Sequence, residues 1–94
     1  MPTPKPSKDA LDFIRKMQPK QAKQVLFRIL DLCQNPNPPD GKAIHGLSGN
    51  LRRVDSGEFR VVYRLQGDTL EILVVGKRND DEVYRDLSRQ KSLE

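Results

Sequence analysis

At Leu51 the spacing of apolar residues changes from a helical period to a strand period, and this change divides the chain into a helical half and a sheet half. In the first half, Ser7 is a plausible N-cap for a helix reaching about Met17. Ala10, Leu11, Ile14 and Met17 recur at helical spacing there, and Asp9 and Asp12 occupy the early turns where the helix dipole favours anions. Pro19 stops and restarts the chain. From Lys20 to Cys33 the series Ala22, Val25, Leu26, Ile29, Leu30, Cys33 traces one face of a second helix, while Lys20, Lys23, Gln24, Arg28 and Asp31 lie mostly elsewhere on the wheel. Two helices with a short Pro-containing connection form a hairpin whose shared apolar stripe needs a sheet to cover it.

Asn35-Pro36-Asn37-Pro38-Pro39-Asp40-Gly41 ends the second helix in a stiff loop, and Gly46 and Gly49 punctuate the irregular stretch up to Asn50. A short strand is predicted over Leu51–Val54, with Asp55-Ser56-Gly57 as its turn. Next, Phe59, Val61, Tyr63 and Leu65 alternate with Arg60, Val62, Arg64 and Gln66, and Leu70, Ile72 and Val74 alternate with Glu71, Leu73 and Val75. Gly67-Asp68 between the two runs is a two-residue hairpin loop. The expected fold is α+β, an N-terminal helical hairpin packed on a small, twisted, mainly antiparallel sheet. A chain of 94 residues supports one modest core, so residues 1–94 are read as a single domain, with 89–94 as a flexible tail.

Composition narrows the function. The lone Cys33 forms no intramolecular disulfide, one Cys and one His are too few for a four-ligand zinc site, and no metal or cofactor is expected. No apolar run approaches the roughly 20 residues that span a bilayer, and the N-terminus lacks a secretory signal, so no membrane role and a cytoplasmic location are expected. P-loop, dinucleotide-binding and HExxH motifs are missing. His45 is the only imidazole and is read as a surface loop residue in preference to a base. The net charge of +4 lies wholly in residues 1–34, which carry seven Lys/Arg against three Asp/Glu, while the remainder balances. Such a segment is either a solvated helix face or an attraction for a polyanion, with Lys20 and Lys23 as its contacts.

Arg52, Arg53, Arg60, Arg64, Lys77 and Arg78 lie on the strands or just beyond them. Arg60 shares a strand side with Arg64, an antiparallel partner brings Arg52 or Arg53 to its flank, and Lys77 and Arg78 follow Gly76. Arginine suits bidentate contact with phosphate and stacking on bases, and Tyr84 adds a phenol. The ordinary alternative is a set of solvated strand arginines paired with Asp55, Glu58 or Asp81.

The segments Leu51-Arg52-Arg53-Val54, Gly57-Glu58-Phe59-Arg60-Val61-Val62-Tyr63-Arg64 and Gly76-Lys77-Arg78 with Glu82-Val83-Tyr84 resemble the RelE/ParE superfamily of bacterial toxins, and the RelE branch in particular. The resemblance covers roughly residues 7–88. It implies a ribosome-dependent endoribonuclease that cuts mRNA in the decoding site, inhibits translation, and is held in a hetero-oligomer by an acidic, RelB-like or other cognate antitoxin. By matching motif, Arg53, Arg60, Arg78 and Tyr84 take the catalytic positions, and Arg52, Lys77 and Arg64 supply further RNA contacts. Metal-free cleavage needs the ribose 2′-OH deprotonated and the phosphorane's charge stabilised. Three arginines suit the second task, and Tyr84, its pKa lowered by cations, suits the first or serves as a stacking group. The family opens with a β-strand, a place taken here by Met1-Pro2-Thr3-Pro4-Lys5-Pro6, which is expected to be a proline-tolerant edge strand or flexible. Leu51 stands where some relatives carry a second basic residue. The alternatives are a ParE-like, gyrase-directed toxin and a non-catalytic antitoxin-binding module.

Overall fold

The computed structural model describes residues 1–45 and 49–78. In chain order these form β1 (Thr3–Pro6), α1 (Lys8–Arg15), α2 (Pro19–Gln34), β2 (Lys42–Ala43), β3 (Arg52–Ser56), β4 (Phe59–Gln66) and β5 (Thr69–Lys77). The five strands make one sheet in the order β1-β5-β4-β3-β2. β1 runs parallel to β5 and every other neighbour is antiparallel. The α+β architecture expected from the change of period is the one observed.

The proline-rich N-terminus is an edge strand. Thr3 and Ser7 donate their N–H groups inward, to Asp68 O and Ile72 O at 2.8 Å each. Pro4 and Pro6 fall on the intervening positions, whose nitrogens face away from the ladder, so their missing donors cost it nothing. Ser7 then serves two elements at once: its Oγ accepts from Ala10 N at 3.1 Å, capping α1, and donates to Leu73 O of β5 at 2.7 Å. Pro19 is the first residue of α2, where its missing N–H and fixed φ are tolerated.

One face of the sheet receives the helices. Ala10 and Ile14 of α1 and Val25, Ile29, Leu32 and Cys33 of α2 pack on Val54, Phe59, Val61, Tyr63, Leu70, Ile72 and Val75, and the Phe13 and Phe59 rings meet edge-to-face at 6.0 Å. Tyr63, buried, donates its phenol to Pro36 O at 2.7 Å and so ties the end of the sheet to the loop after α2. The other face carries a smaller cluster of Leu51, Val62, Leu73 and Val74, with Ile44 against it.

Four details depart from the sequence reading. β5 carries a bulge: Val62 opposes Val74 and Tyr63 opposes Ile72, which makes Leu73 the extra residue of β5. The strict alternation is broken there, so Val75 and not Val74 joins the helix-side core. The turn before β4 is Gly57-Glu58, because β3 runs on to Ser56, and Gly57 supplies the positive φ of 59°. Leu26 and Leu30 remain about half exposed beside α2's buried line, and Leu32 is buried in their stead. Leu65 is exposed as well, although it opposes the buried Leu70.

The Ser7 hydroxyl is a cap and a strand contact together, so Ser7→Ala is expected to destabilise the protein by about 1–2 kcal/mol in urea unfolding. Arg28 of α2 pairs with Asp40 of the following loop and holds its carboxyl below the usual carboxylate range. A depressed acid stabilises the fold above its unfolded pKa and loses that contribution as the pH falls through its folded value. Asp40→Asn is therefore expected to flatten the acid side of the melting-temperature profile and to leave its shape near neutral pH alone.

Candidate nucleic-acid interface

The β3–β4 register fixes which cations can meet. Asp55 lies directly opposite Arg60, and Arg53 directly opposite Val62. Opposed residues share a face, so Arg53, Asp55, Arg60 and Val62 all stand on the side away from the helices. Lys42 of β2 opposes Arg53 and joins that side. A recess of about 220 Å³ opens there, lined by Asp40, Lys42, Arg53, Val54, Asp55 and Arg60.

Within it, Arg60 Nε donates to Asp55 Oδ1 at 2.9 Å. The pair is partly exposed, so its chief effect is to orient the Arg60 guanidinium, with little contribution to stability. Asp40 is engaged by Arg28 from α2. With both carboxylates held by arginines, Lys42 and Arg53 stand as cations in no ion pair among the described residues. Bidentate and charge-assisted hydrogen bonds from such a set suit a phosphodiester.

Beyond the recess, Gly76 opposes Arg60 and presents no side chain to it. Lys77 opposes Phe59 and belongs to the helix side, whereas Arg78, the next residue, returns to Arg60's side and donates its N–H to Glu58 O at 3.0 Å. Arg53 and Arg60 thus share the recess, and Arg78 follows on the same face beyond it, beside Glu58. Tyr84 lies outside the described residues.

Besides Lys77, four expected contacts are not gathered there. Arg64 is four residues from Arg60 along β4, about 13 Å in extended chain, and its Nε donates to Glu71 Oε1 at 2.8 Å. Arg52 opposes Tyr63 and projects from the helix side of β3, beneath the Pro38–Gly41 turn. Lys20 and Lys23 are exposed on α2, across the sheet from the recess, and Lys23 Nζ lies 5.7 Å from the Phe27 ring centre. Sequence reading missed Lys42 and Asp40 because a two-residue strand carries no periodic signal. The Asp40-Gly41-Lys42 turn was the one cue available.

No group of His, Cys, Asp and Glu among the described residues is arranged to hold a metal ion, and no helix among them is long and apolar enough to cross a membrane.

The fold is that of known toxins. The isolated Escherichia coli RelE toxin superposes with a TM-score of 0.72 at 19% identity, covering 96% of this chain and 98% of that one. RelE in the intact E. coli RelBE toxin–antitoxin complex gives 0.71 at 18% identity, over 82% and 96% of the two chains. The Mycobacterium tuberculosis RelBE2 toxin–antitoxin complex gives 0.71 at 24% identity, over 83% and 100%. Among curated protein sequences nothing matches significantly. The family model for the ParE toxin of the type II toxin–antitoxin system parDE matches residues 5–82. With most of its length matched and its helices and mixed sheet arranged as in RelE, the chain belongs to the ParE toxin family and is a toxin of a type II toxin–antitoxin system with the RelE/ParE fold.

Proposed function

We propose that this toxin acts on RNA, as a metal-independent endoribonuclease that cuts mRNA on the ribosome, and that the open-face end holding Arg53, Arg60 and Arg78 is its active site. The observation that carries the reading is the recess in which Lys42, Arg53 and Arg60 converge while Asp55 fixes the Arg60 guanidinium. A preorganised cationic site of this kind stabilises the charge that develops as the 2′-oxygen attacks phosphorus, which is commonly the largest single contribution to catalysis. Arginine is a poor proton carrier at neutral pH, so the base is another group, and Tyr84 is assigned that role or a stacking one. Lys20 and Lys23, and Lys77 from the far side of the sheet, are assigned to ribosomal RNA.

Neutralisation is assigned to an acidic antitoxin. RelE-like relatives have been solved as toxin–antitoxin complexes. Here an apolar groove of about 330 Å³ between β1, α1 and α2, with Leu11, Leu26 and Leu30 along it, offers a seat for an amphipathic segment beside the basic third of the chain. A saturating antitoxin is expected to raise the melting temperature, since it binds the folded state alone. Equal melting temperatures with and without it would refute the assignment.

A second reading, a gyrase-directed toxin, is favoured by the match of the ParE family model over residues 5–82. Induction of the wild type beside Arg53→Ala/Arg60→Ala, with primer extension on a translated reporter mRNA, separates the two. The ribonuclease reading predicts in-frame cuts that fall by about 10²-fold or more in the double variant. Growth arrest with DNA damage and intact mRNA would transfer the function to gyrase.

A further inference from the structure

Arg52 stands apart from the cluster on the open face, and its surroundings give it a different task. Where Arg52 enters β3, a recess of about 570 Å³ is lined by Asn37, Ile44, His45, Asn50, Arg52 and Leu65, among others. The Arg52 Nε is buried and has no hydrogen-bond partner, whereas buried donors in folded proteins almost always have one. Around this cation the lining is mixed: the half-exposed Leu65, on the Tyr63 side of β4, is joined by the amides of Asn37 and Asn50 and by His45. A cation, an exposed apolar side chain and adaptable amide groups are the parts that hold a phosphate, a base face and a base edge. The volume falls in the range of small-molecule sites.

The recess also adjoins the open-face cluster. Arg52 and Arg53 are consecutive and emerge on opposite sides of β3, and among the described residues the two of β2 form the edge of the sheet beyond them, Lys42 on Arg53's side and Ala43 on Arg52's. A single strand passing around this short edge would meet Arg53 on one side and Arg52 on the other. We propose that the Arg52 recess is a nucleotide subsite, holding one nucleotide with its phosphate on the guanidinium and its base against Leu65. The identity of the ligand as RNA rests on the ribonuclease reading; the recess itself does not.

The test is nitrogen-15 NMR titration of the full chain with uridine 5′-monophosphate, inorganic phosphate and a uridine tetranucleotide. The expected result is saturable shifts at Asn37, Ile44, Asn50 and Leu65. Uridine monophosphate should bind about tenfold more weakly to Arg52→Gln and within twofold of wild type to Lys5→Gln, on β1 at the opposite edge of the sheet. Leu65→Ala, a change at an exposed side chain, should weaken the nucleotide but not phosphate. Tighter binding of the tetranucleotide, lost in Arg52→Gln, would identify an RNA strand as the source, and equal affinity a free nucleotide. Nucleotide binding no tighter than phosphate, or unchanged in both Arg52→Gln and Leu65→Ala, would overturn the proposal. Saturable binding in a protein that leaves mRNA uncut would instead overturn the ribonuclease reading and leave the subsite standing.

Discussion

At Leu73, β5 carries one residue more than β4 opposes, and the faces of the sheet follow from that insertion. Before it, Leu70 and Ile72 point to the helices; after it, Val75 does. Leu73 and Val74, although adjacent, both serve the cluster on the other side. A strand without the bulge would turn Val75 out of the helix-side core and bring Gly76 and Arg78 onto the helix side. With it, Gly76 lies beside Arg60 and Arg78 emerges on Arg60's side. The bulged residue is also where Ser7 holds on, since the Ser7 hydroxyl donates to the Leu73 carbonyl while capping α1. One irregular residue thus couples the entry of the first helix to the phase of the last strand.

The two sides of the sheet then take different work. The helix side holds the larger core, closed at one end by the Tyr63 phenol on the Pro36 carbonyl. The open side carries the basic end, where acids are kept near the cations without cancelling them: Asp55 holds Arg60, Asp40 is held by Arg28, and Lys42 and Arg53 are left to meet an anion. A phosphate arriving there competes with an exposed ion pair, which is a weak competitor. The arrangement orients Arg60 before the substrate arrives, and preorganisation is what electrostatic catalysis demands.

Much of this was legible in the sequence. The 3.6-residue spacing of Ala10, Ile14, Val25 and Ile29, the alternation of Phe59, Val61 and Tyr63, and the Gly67-Asp68 turn correspond to α1, α2, β4 and the β4–β5 hairpin, because each pattern is local. The phase of β5 was not legible, since a bulge is a property of pairing and leaves Leu73-Val74-Val75 looking like any apolar run. Lys42 was hidden for a related reason: its place depends on a two-residue edge strand that forms only because β3 is there to pair with it. Arg52 and Arg53 show the same limit. Adjacent arginines look equivalent in a sequence, and register alone sends one to the open face and the other under the Pro38–Gly41 turn.

The central claim is that mRNA is cut on the open side of the sheet, to which the bulge directs Arg78, and not on the helix side, to which it directs Lys77. The most direct measurement is mRNA cleavage in translating extracts by Arg78→Ala and Lys77→Ala, two neighbouring substitutions of similar charge. The account predicts a loss of about 10²-fold for Arg78→Ala, as for removal of a group that stabilises the transition state, against a change of a few-fold at most for Lys77→Ala. A large loss in Lys77→Ala with Arg78→Ala still active would contradict it.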